Sequence, residues 1–245
     1  MRLLSRVCTH IYVFIMEILA IMTCILLYPF KSVKLDLPKD KNGHPDILCV
    51  HGYMHNETGW KLFRKRLKKM GAGSVNTVSY PSLTKDIPAN SLKIKQRIDL
   101  FKEKTGRQIH VLIGHSLGGL VSLEYALEYA PKDQITYVIT LGSPLHGTQL
   151  AKALGVGPSV VQIRENSDYI RSLHARLLQA NHLRILTLAS SIDRMILPRH
   201  SALLPEIPYA EGEEFPALGH LGFIFSTRIL KKIASFLRQQ HLLEN

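Results

Sequence analysis

One short stretch in the middle of the chain constrains its fold more than any other. An apolar, β-branched run from Ile109 to Ile113 leads into the sequence Gly-His-Ser-Leu-Gly-Gly at residues 114–119, and a helix-forming segment follows. This order predicts a strand, a sharp turn and a helix, with the hydroxyl of Ser116 exposed at the carboxyl edge of a sheet. Gly114 and Gly118 suit such a corner, because Cβ atoms there would crowd the tight backbone.

Predicted strands and helices alternate on both sides of this stretch. Short apolar strands are predicted at Ile47–Val50, Val75–Tyr80, Ile109–Ile113, Ile135–Leu141 and Leu183–Ala189, and helices at Glu57–Met70, Lys85–Lys104, Leu117–Tyr129, Tyr169–Leu178 and Phe223–Leu237. Fully apolar strands are typical of a parallel sheet that is covered on both faces. The pattern therefore predicts a three-layer α/β domain over residues 46–241, with a mostly parallel central sheet and helices on both faces.

The chain begins with an apolar segment that is expected to lie outside this domain. After a short flank at residues 1–10, residues 11–30 form an apolar run long enough to cross a bilayer. Tyr28-Pro29-Phe30-Lys31 lacks the small residues of a signal cleavage site, so we expect an uncleaved transmembrane anchor rather than a signal sequence. Glu17 inside the run must be protonated or paired, since a charge there costs on the order of a few kcal/mol. A polar linker at residues 31–45 follows.

Charge and cysteine content limit the expected partners. The formal net charge of +12 favours anionic surfaces. The sequence shows no zinc-ligand spacing, RNA-binding aromatic signature or clear helix-turn-helix, so an acidic membrane face is a better candidate than nucleic acid. Cys8 and Cys24 lie in the apolar segment and Cys49 in a predicted core strand, which argues against a disulfide framework. Without a calcium loop or a His/Cys cluster, neither a metal nor another cofactor is expected.

Four motifs give the chain a resemblance to a known family. They are His51-Gly52-Tyr53-Met54, the Gly-His-Ser-Leu-Gly-Gly at 114–119, Gly142-Ser143-Pro144 with His146-Gly147-Thr148, and Asp193 followed by His220. With these motifs the chain resembles the lipase-like branch of the α/β-hydrolase family over roughly residues 45–240. Such enzymes carry a serine, an acid and a histidine in this order along the chain. The resemblance therefore implies that Ser116, Asp193 and His220 form a catalytic triad, with Asp168 and Glu165 as the alternatives for the acid.

The chemistry of the family gives each residue a role. His220 would remove the proton of Ser116 and then protonate the leaving group, while Asp193 would orient His220. The family pattern puts the oxyanion hole on the backbone N–H groups of Tyr53 and Leu117. Further residues are expected to support the site: His51, Gly52, Gly114, His115, Gly118 and His146.

We therefore expect a membrane-associated serine hydrolase that cleaves carboxylic esters, with lipid acyl chains as its substrates, through an acyl-enzyme on Ser116. An acyltransferase or thioesterase could use the same triad, and a non-catalytic binding protein could share the fold. Residues 145–181 are either a lid over the site or a plain connection between strands. The natural substrate, the side of the membrane and the oligomeric state are left open.

Overall fold

The sheet at the centre of the molecule is entirely parallel. The computed structural model describes residues 2–27, 29–30, 34–38, 44–154 and 157–244, and it describes side chains from residue 8 onward. The strands in this part of the chain are β1 (Asp46–Val50), β2 (Ser74–Val78), β3 (Val111–His115), β4 (Thr136–Leu141), β5 (Leu183–Ser190) and β6 (Ala210–Phe215). They lie side by side in the order β2-β1-β3-β4-β5-β6, and each neighbouring pair is parallel.

Helices cover both faces of this sheet. They are α1 (Arg2–Leu27), α2 (Lys61–Lys69), α3 (Ile87–Thr105), α4 (Leu117–Glu128), α5 (Leu150–Leu154), α6 (Pro158–Gln162), α7 (Asp168–Leu177) and α8 (Thr227–Gln239), with 3-10 turns at Glu57–Trp60, Arg199–Ala202 and Leu221–Ile224. Helices α3, α4 and α7 bury their apolar side chains against one face, and α2 and α8 bury theirs against the other. The predicted three-layer α/β fold is confirmed.

The boundaries of several predicted elements change for local reasons. The helix predicted at Glu57–Met70 begins as a 3-10 turn, and α2 starts only at Lys61. The helix predicted at Phe223–Leu237 is split, because the side chain of Ser226 accepts a hydrogen bond from the N–H of Ile229 and starts α8. The strand β3 continues to His115, so that it delivers Ser116 directly to the turn.

The strand β6 is not among the strands that the sequence pattern predicts. Its sequence, Ala-Glu-Gly-Glu-Glu-Phe, is polar, and Phe215 is its one buried residue. Among the described strands it pairs only with β5, and it forms the edge of the sheet. An edge strand with a solvated face does not need the continuous apolar sequence of a central strand, so the hydrophobic pattern gave no signal.

The apolar N-terminal helix packs on the domain. It begins at Arg2, so the described part of the predicted flank is helical, and it contacts the turns at Glu57–Trp60 and Leu221–Ile224. Its segment Cys8–Leu27 has a mean hydropathy of 2.2 and is the one stretch among the described residues that is long and apolar enough to cross a membrane. By length and composition it could be a membrane anchor or a signal sequence.

Part of the predicted linker is bound to the domain. The N–H of Asp36 donates to Asn76 Oδ1 at 2.9 Å, and its carboxylate accepts the N–H of Val75 at 2.8 Å and pairs with Lys68. Residues 34–38 are therefore fixed against β2 and α2 and do not form a free linker. Residues 31–33 and 39–43 of the predicted linker lie outside the described residues.

The candidate lid at residues 145–181 contains α5, α6 and α7. The Tyr169 hydroxyl donates to Glu124 on α4 at 2.8 Å, and Arg176 forms ion pairs with Glu124 and Glu128 at 2.7 Å. These contacts make α7 part of the domain framework, as expected for a connection between strands. Residues 155–156 lie outside the described residues, and a role of the segment as a lid stays a prediction.

Candidate active site

Ser116 lies at the corner between β3 and α4. Its backbone has φ 53° and ψ −125°, a conformation that residues other than glycine rarely adopt. The N–H of Ser116 donates to the carbonyl of Leu141 at 2.9 Å, and its own carbonyl accepts the N–H of Gly119 at 3.0 Å. Strained backbone held in this way is concentrated at functional sites. The corner has the strand-turn-helix form that the sequence predicts for a nucleophile elbow.

The glycines of this corner allow α4 to approach the sheet closely. A Cβ atom at Gly114 would lie 2.5 Å from the carbonyl carbon of Gly118 and from the Cα of Gly119. A Cβ atom at Gly118 would lie 2.5 Å from the carbonyl oxygen of His51. All of these neighbours are backbone atoms, so none can turn away as a side chain would. Both positions therefore require glycine because a Cβ atom would collide with the neighbouring backbone, as the sequence pattern predicts.

We expect the substitution Gly114→Ala to lower the free energy of unfolding by about 3 kcal/mol, since the backbone of α4 must move to admit the methyl group. Gly212→Ala is a suitable control, because Gly212 is exposed on β6 and the nearest neighbours of its Cβ would be side chains. Denaturant unfolding of both variants measures the difference. Equal, small losses would contradict the close packing at Gly114.

Asp193 and His220 meet at the carboxyl edge of the sheet. His220 Nδ1 donates a hydrogen bond to Asp193 Oδ2 at 2.8 Å, and both residues are buried. Asp193 Oδ1 accepts the N–H groups of Met195 at 2.7 Å and Ile196 at 3.3 Å, which fixes the carboxylate. With the proton on Nδ1, the other ring nitrogen of His220 is the basic one. Ser116 and His220 line the same cavity.

The charge around His220 changes its pKa. Burial alone would lower this pKa, but the carboxylate of Asp193, its hydrogen bond and the carboxylate of Glu17 together raise it above the usual 6.5. The histidine is thus a stronger base than an ordinary imidazole. That property suits a group that must remove a proton from a serine.

His115 supports the loop that carries His220. Its Nε2 donates to the backbone carbonyl of His220 at 2.9 Å, and the two ring centroids are 4.8 Å apart. Burial and the neighbouring His220 hold the pKa of His115 well below 6.5, so its ring is neutral. The residue between the first glycine and the serine of the motif is therefore part of the site.

The loop after β1 lies directly against the serine. A Cβ atom at Gly52 would be 3.0 Å from Ser116 Cβ, and Tyr53 and Leu117 line the same cavity as Ser116. Leu117 is the first residue of α4, where the backbone N–H has no partner within the helix. His51 stiffens the loop: its Nδ1 donates to the carbonyl of Gly52 at 2.8 Å, and its ring stacks on Tyr80. The two residues predicted for the oxyanion hole are thus beside the serine.

An apolar cavity of about 590 Å³ opens beside Ser116. This volume is in the usual range for sites that hold a small organic ligand. Its walls come from the loops after β1, β4 and β5, from α6 and the residue after it, and from α1. The lining residues include Tyr53, Met54, Pro144, Thr148, Val160, Ile163, Met195, Ile196, Ile21, Cys24 and Ile25. Few polar groups other than those of the candidate site face it, so the cavity fits a hydrocarbon chain.

Glu17 of α1 also lines this cavity. Its carboxylate accepts the N–H groups of Leu221 at 2.7 Å and Gly222 at 3.3 Å, directly after His220. The sequence predicts that this residue is protonated or paired, but it does not place Glu17 at the site. The available signal was a single acidic residue in an otherwise apolar run.

His146 is not brought to the site, contrary to the expectation that it supports the triad. It lies outside the cavity lining, where its Nε2 donates to the carbonyl of Leu203 at 3.0 Å and its ring packs on His174. Glu206 Oε1 lies 3.3 Å from His146 Nε2 and 3.0 Å from His174 Nδ1. These two histidines and Glu206 could together hold a metal ion, since their ligand atoms lie within 4.8 Å of one another. The expectation of a metal-free protein stays a prediction.

A parallel sheet that carries a serine elbow and a histidine–carboxylate pair at its carboxyl edge defines the class of α/β hydrolases. The model of the Alpha/beta hydrolase family matches residues 47–214, which is more than half of the chain. The chain belongs to this family. A comparison with curated protein sequences gives no match.

Solved structures of lipases and esterases share the fold. The mature lipase BlEst2 of Bacillus licheniformis has a TM-score of 0.66 and 17% identity, and the match covers 85% of this chain and 96% of that one. Lipase B of Aspergillus fumigatus has a TM-score of 0.63 and 19% identity, and the match covers 78% of this chain and 52% of that one. Est1E of Butyrivibrio proteoclasticus has a TM-score of 0.62 and 15% identity, and the match covers 84% of this chain and 92% of that one. At these identities the likeness shows the fold alone.

Proposed function

We propose that this protein is a serine hydrolase that cleaves carboxylic esters through an acyl-enzyme on Ser116, and that lipid acyl esters are its natural substrates. The observation that carries the proposal is the hydrogen bond of 2.8 Å between Asp193 and His220, in a cavity that Ser116 also lines. An activated serine needs such a base, and the base needs a group that orients it.

The reaction uses the groups in turn. His220 takes the hydroxyl proton as Ser116 Oγ attacks the ester carbonyl, and the N–H groups of Tyr53 and Leu117 stabilise the oxyanion. His220 then gives the proton to the leaving alcohol, and the C–O bond of the ester breaks. Water, activated in the same way, releases the acid and restores Ser116.

The cavity supports an acyl substrate. Its lining is mostly apolar and it holds about 590 Å³ beside the serine, so burial of a hydrocarbon chain can contribute about 0.8 kcal/mol for each methylene group. A series of p-nitrophenyl esters with increasing chain length tests this point on the full-length protein. We expect kcat/KM to rise with chain length until the cavity is filled. A preference for acetate would contradict the proposed lipid acyl substrate. Reaction only with thioesters or with added acyl acceptors would contradict ester hydrolysis itself.

Hydrolysis should depend on pH through His220. The residue accepts a proton only when it is neutral, and its pKa is raised above 6.5 by Asp193 and Glu17 against the opposing effect of burial. The rate should therefore rise with pH, with a midpoint above 6.5. The pH profile of kcat/KM reports this group in the free enzyme. A midpoint at or below 6.5 would contradict the raised pKa of His220, whereas a rate that does not fall at low pH would contradict its assignment as the base.

A further inference from the structure

The apolar helix α1 is joined to the loop of the candidate base by one carboxylate. Glu17 accepts two backbone N–H groups, from Leu221 and Gly222, at the start of the turn that follows His220. Nothing in that turn itself can satisfy its first N–H groups. The carboxylate of Glu17 therefore fixes where this turn begins. It thereby also fixes the position of His220, the residue just before the turn.

The same helix forms one wall of the cavity. Ile21, Cys24 and Ile25 line it, and Ala20 and Cys24 are buried where the helix packs on the domain. Without α1 the cavity beside Ser116 would be open to solvent along this side. An acyl chain would then lose the apolar contacts of that wall.

The outward face of α1 is apolar as well. Exposed side chains along it include Ile11, Phe14, Ile15, Ile18, Leu19, Met22 and Leu26. Such an extended apolar surface marks contact with another apolar phase. The net charge of +12 favours an anionic bilayer as that phase.

Docking on the domain determines how α1 can lie in a membrane. The helix has 26 residues and is about 39 Å long. Glu17 is near its middle, and there it touches the catalytic domain. A helix docked in this way cannot cross the bilayer at the same time, because the domain would have to enter the hydrocarbon. Docked α1 instead lies along the membrane surface with its outward face in the lipid.

We propose that α1 is a working part of the active site: Glu17 positions the His220 loop, and the docked helix forms the wall along which an acyl chain passes from the bilayer to Ser116. The inference rests on the proposed ester hydrolysis and adds the source of the substrate, a lipid in the membrane on which the protein lies. Glu17 is a positioning residue, since it acts through the backbone that carries His220.

Three charged or titratable groups act directly on His220. Asp193 holds the ring of His220 from the loop after β5, Glu17 faces it from α1, and His115 touches it from the elbow. His51 and His55 lie behind His115. Asp193 and Glu17 both favour the protonated ring. Loss of the Glu17 charge should therefore move the acid limb of the rate profile to lower pH.

The first experiment compares Glu17→Gln and Glu17→Ala with the wild type, as full-length protein on phosphatidylcholine–phosphatidylglycerol vesicles with p-nitrophenyl butyrate. We expect kcat to fall about 10-fold or more in Glu17→Ala, and the acid limb of Glu17→Gln to shift to lower pH. Glu103→Gln is the control, because it removes the same charge from an exposed position on α3. Wild-type kcat and pH profile in both Glu17 variants would overturn the inference, whereas an inactive wild type would overturn the proposed function itself.

A double-mutant cycle separates positioning from damage to the fold. A Cβ atom at Gly219 would lie 2.8 Å from Glu17 Cδ and closer still to its Oε2, so Gly219→Ala should displace the carboxylate. We expect this substitution to reproduce the loss of Glu17→Ala and to add little in the Glu17→Ala background. Equal losses in both backgrounds would mean that the effect does not pass through Glu17.

The position of the helix is tested by protease access. The full-length protein with a cleavable tag before Met1 is reconstituted on sealed vesicles. Only the molecules whose catalytic domain faces the outside of the vesicle are analysed. Docked α1 predicts that external protease also removes the tag. Cleavage of the tag only after permeabilisation would show that α1 spans the bilayer, and it would overturn the inference.

Discussion

The substitution Ser116→Ala is expected to lower kcat for ester hydrolysis by about 10⁴- to 10⁶-fold, because it removes the nucleophile of the proposed reaction. The fold should be retained, since alanine is smaller than serine, has the same Cβ atom in this strained backbone, and removes only a hydroxyl of a residue that lines the cavity. Initial rates at saturating p-nitrophenyl ester measure the loss, and circular dichroism checks the fold.

A matched serine substitution controls for the loss of a hydroxyl group. Ser91 is buried on α3, and its Oγ donates to the carbonyl of Pro88 at 2.7 Å, away from the cavity. Ser91→Ala should keep the wild-type kcat. A Ser116→Ala variant with more than a few per cent of wild-type activity would show that the hydrolysis depends on another nucleophile.

The substitution Asp193→Asn should have the next largest effect, a fall in kcat of about 10³- to 10⁴-fold. An amide at this position no longer holds the proton on His220 Nδ1 and does not stabilise the imidazolium that forms as Ser116 attacks. The loop should keep its shape, because the amide oxygen can still accept the N–H groups of Met195 and Ile196.

The two other acids considered for the triad are the controls for Asp193→Asn. Asp168 is exposed at the start of α7 and pairs with Arg171, while Glu165 lies within 3.4 Å of Gln149 Nε2. Asp168→Asn and Glu165→Gln should therefore leave kcat unchanged. A large loss in either control, with a small one in Asp193→Asn, would contradict the assignment of the acid.

The features that the sequence predicts best are those set by local chemistry. The elbow at Ser116 requires glycines beside a tight turn, and the short apolar strands need only their own hydrophobic pattern to be recognised. The order of Ser116, Asp193 and His220 follows from a family motif, and the structure brings the last two within hydrogen-bonding distance.

The features that were missed depend on contacts between distant parts of the chain. The edge strand β6 is polar and lacks a hydrophobic pattern. His146 follows a family-like motif, but packing against α7 turns it toward His174 and Glu206. The contact of Glu17 with Leu221 joins residues 204 positions apart, so no local pattern could predict it.

The central claim, an activated serine at position 116, is tested most directly by labelling the full-length protein with a fluorophosphonate probe and locating the adduct by mass spectrometry. The proposed mechanism predicts one adduct on Ser116, its loss in Ser116→Ala and slow labelling in Asp193→Asn. Folded wild-type protein that stays unlabelled in both detergent and vesicles, or that is labelled at another residue, would contradict the claim.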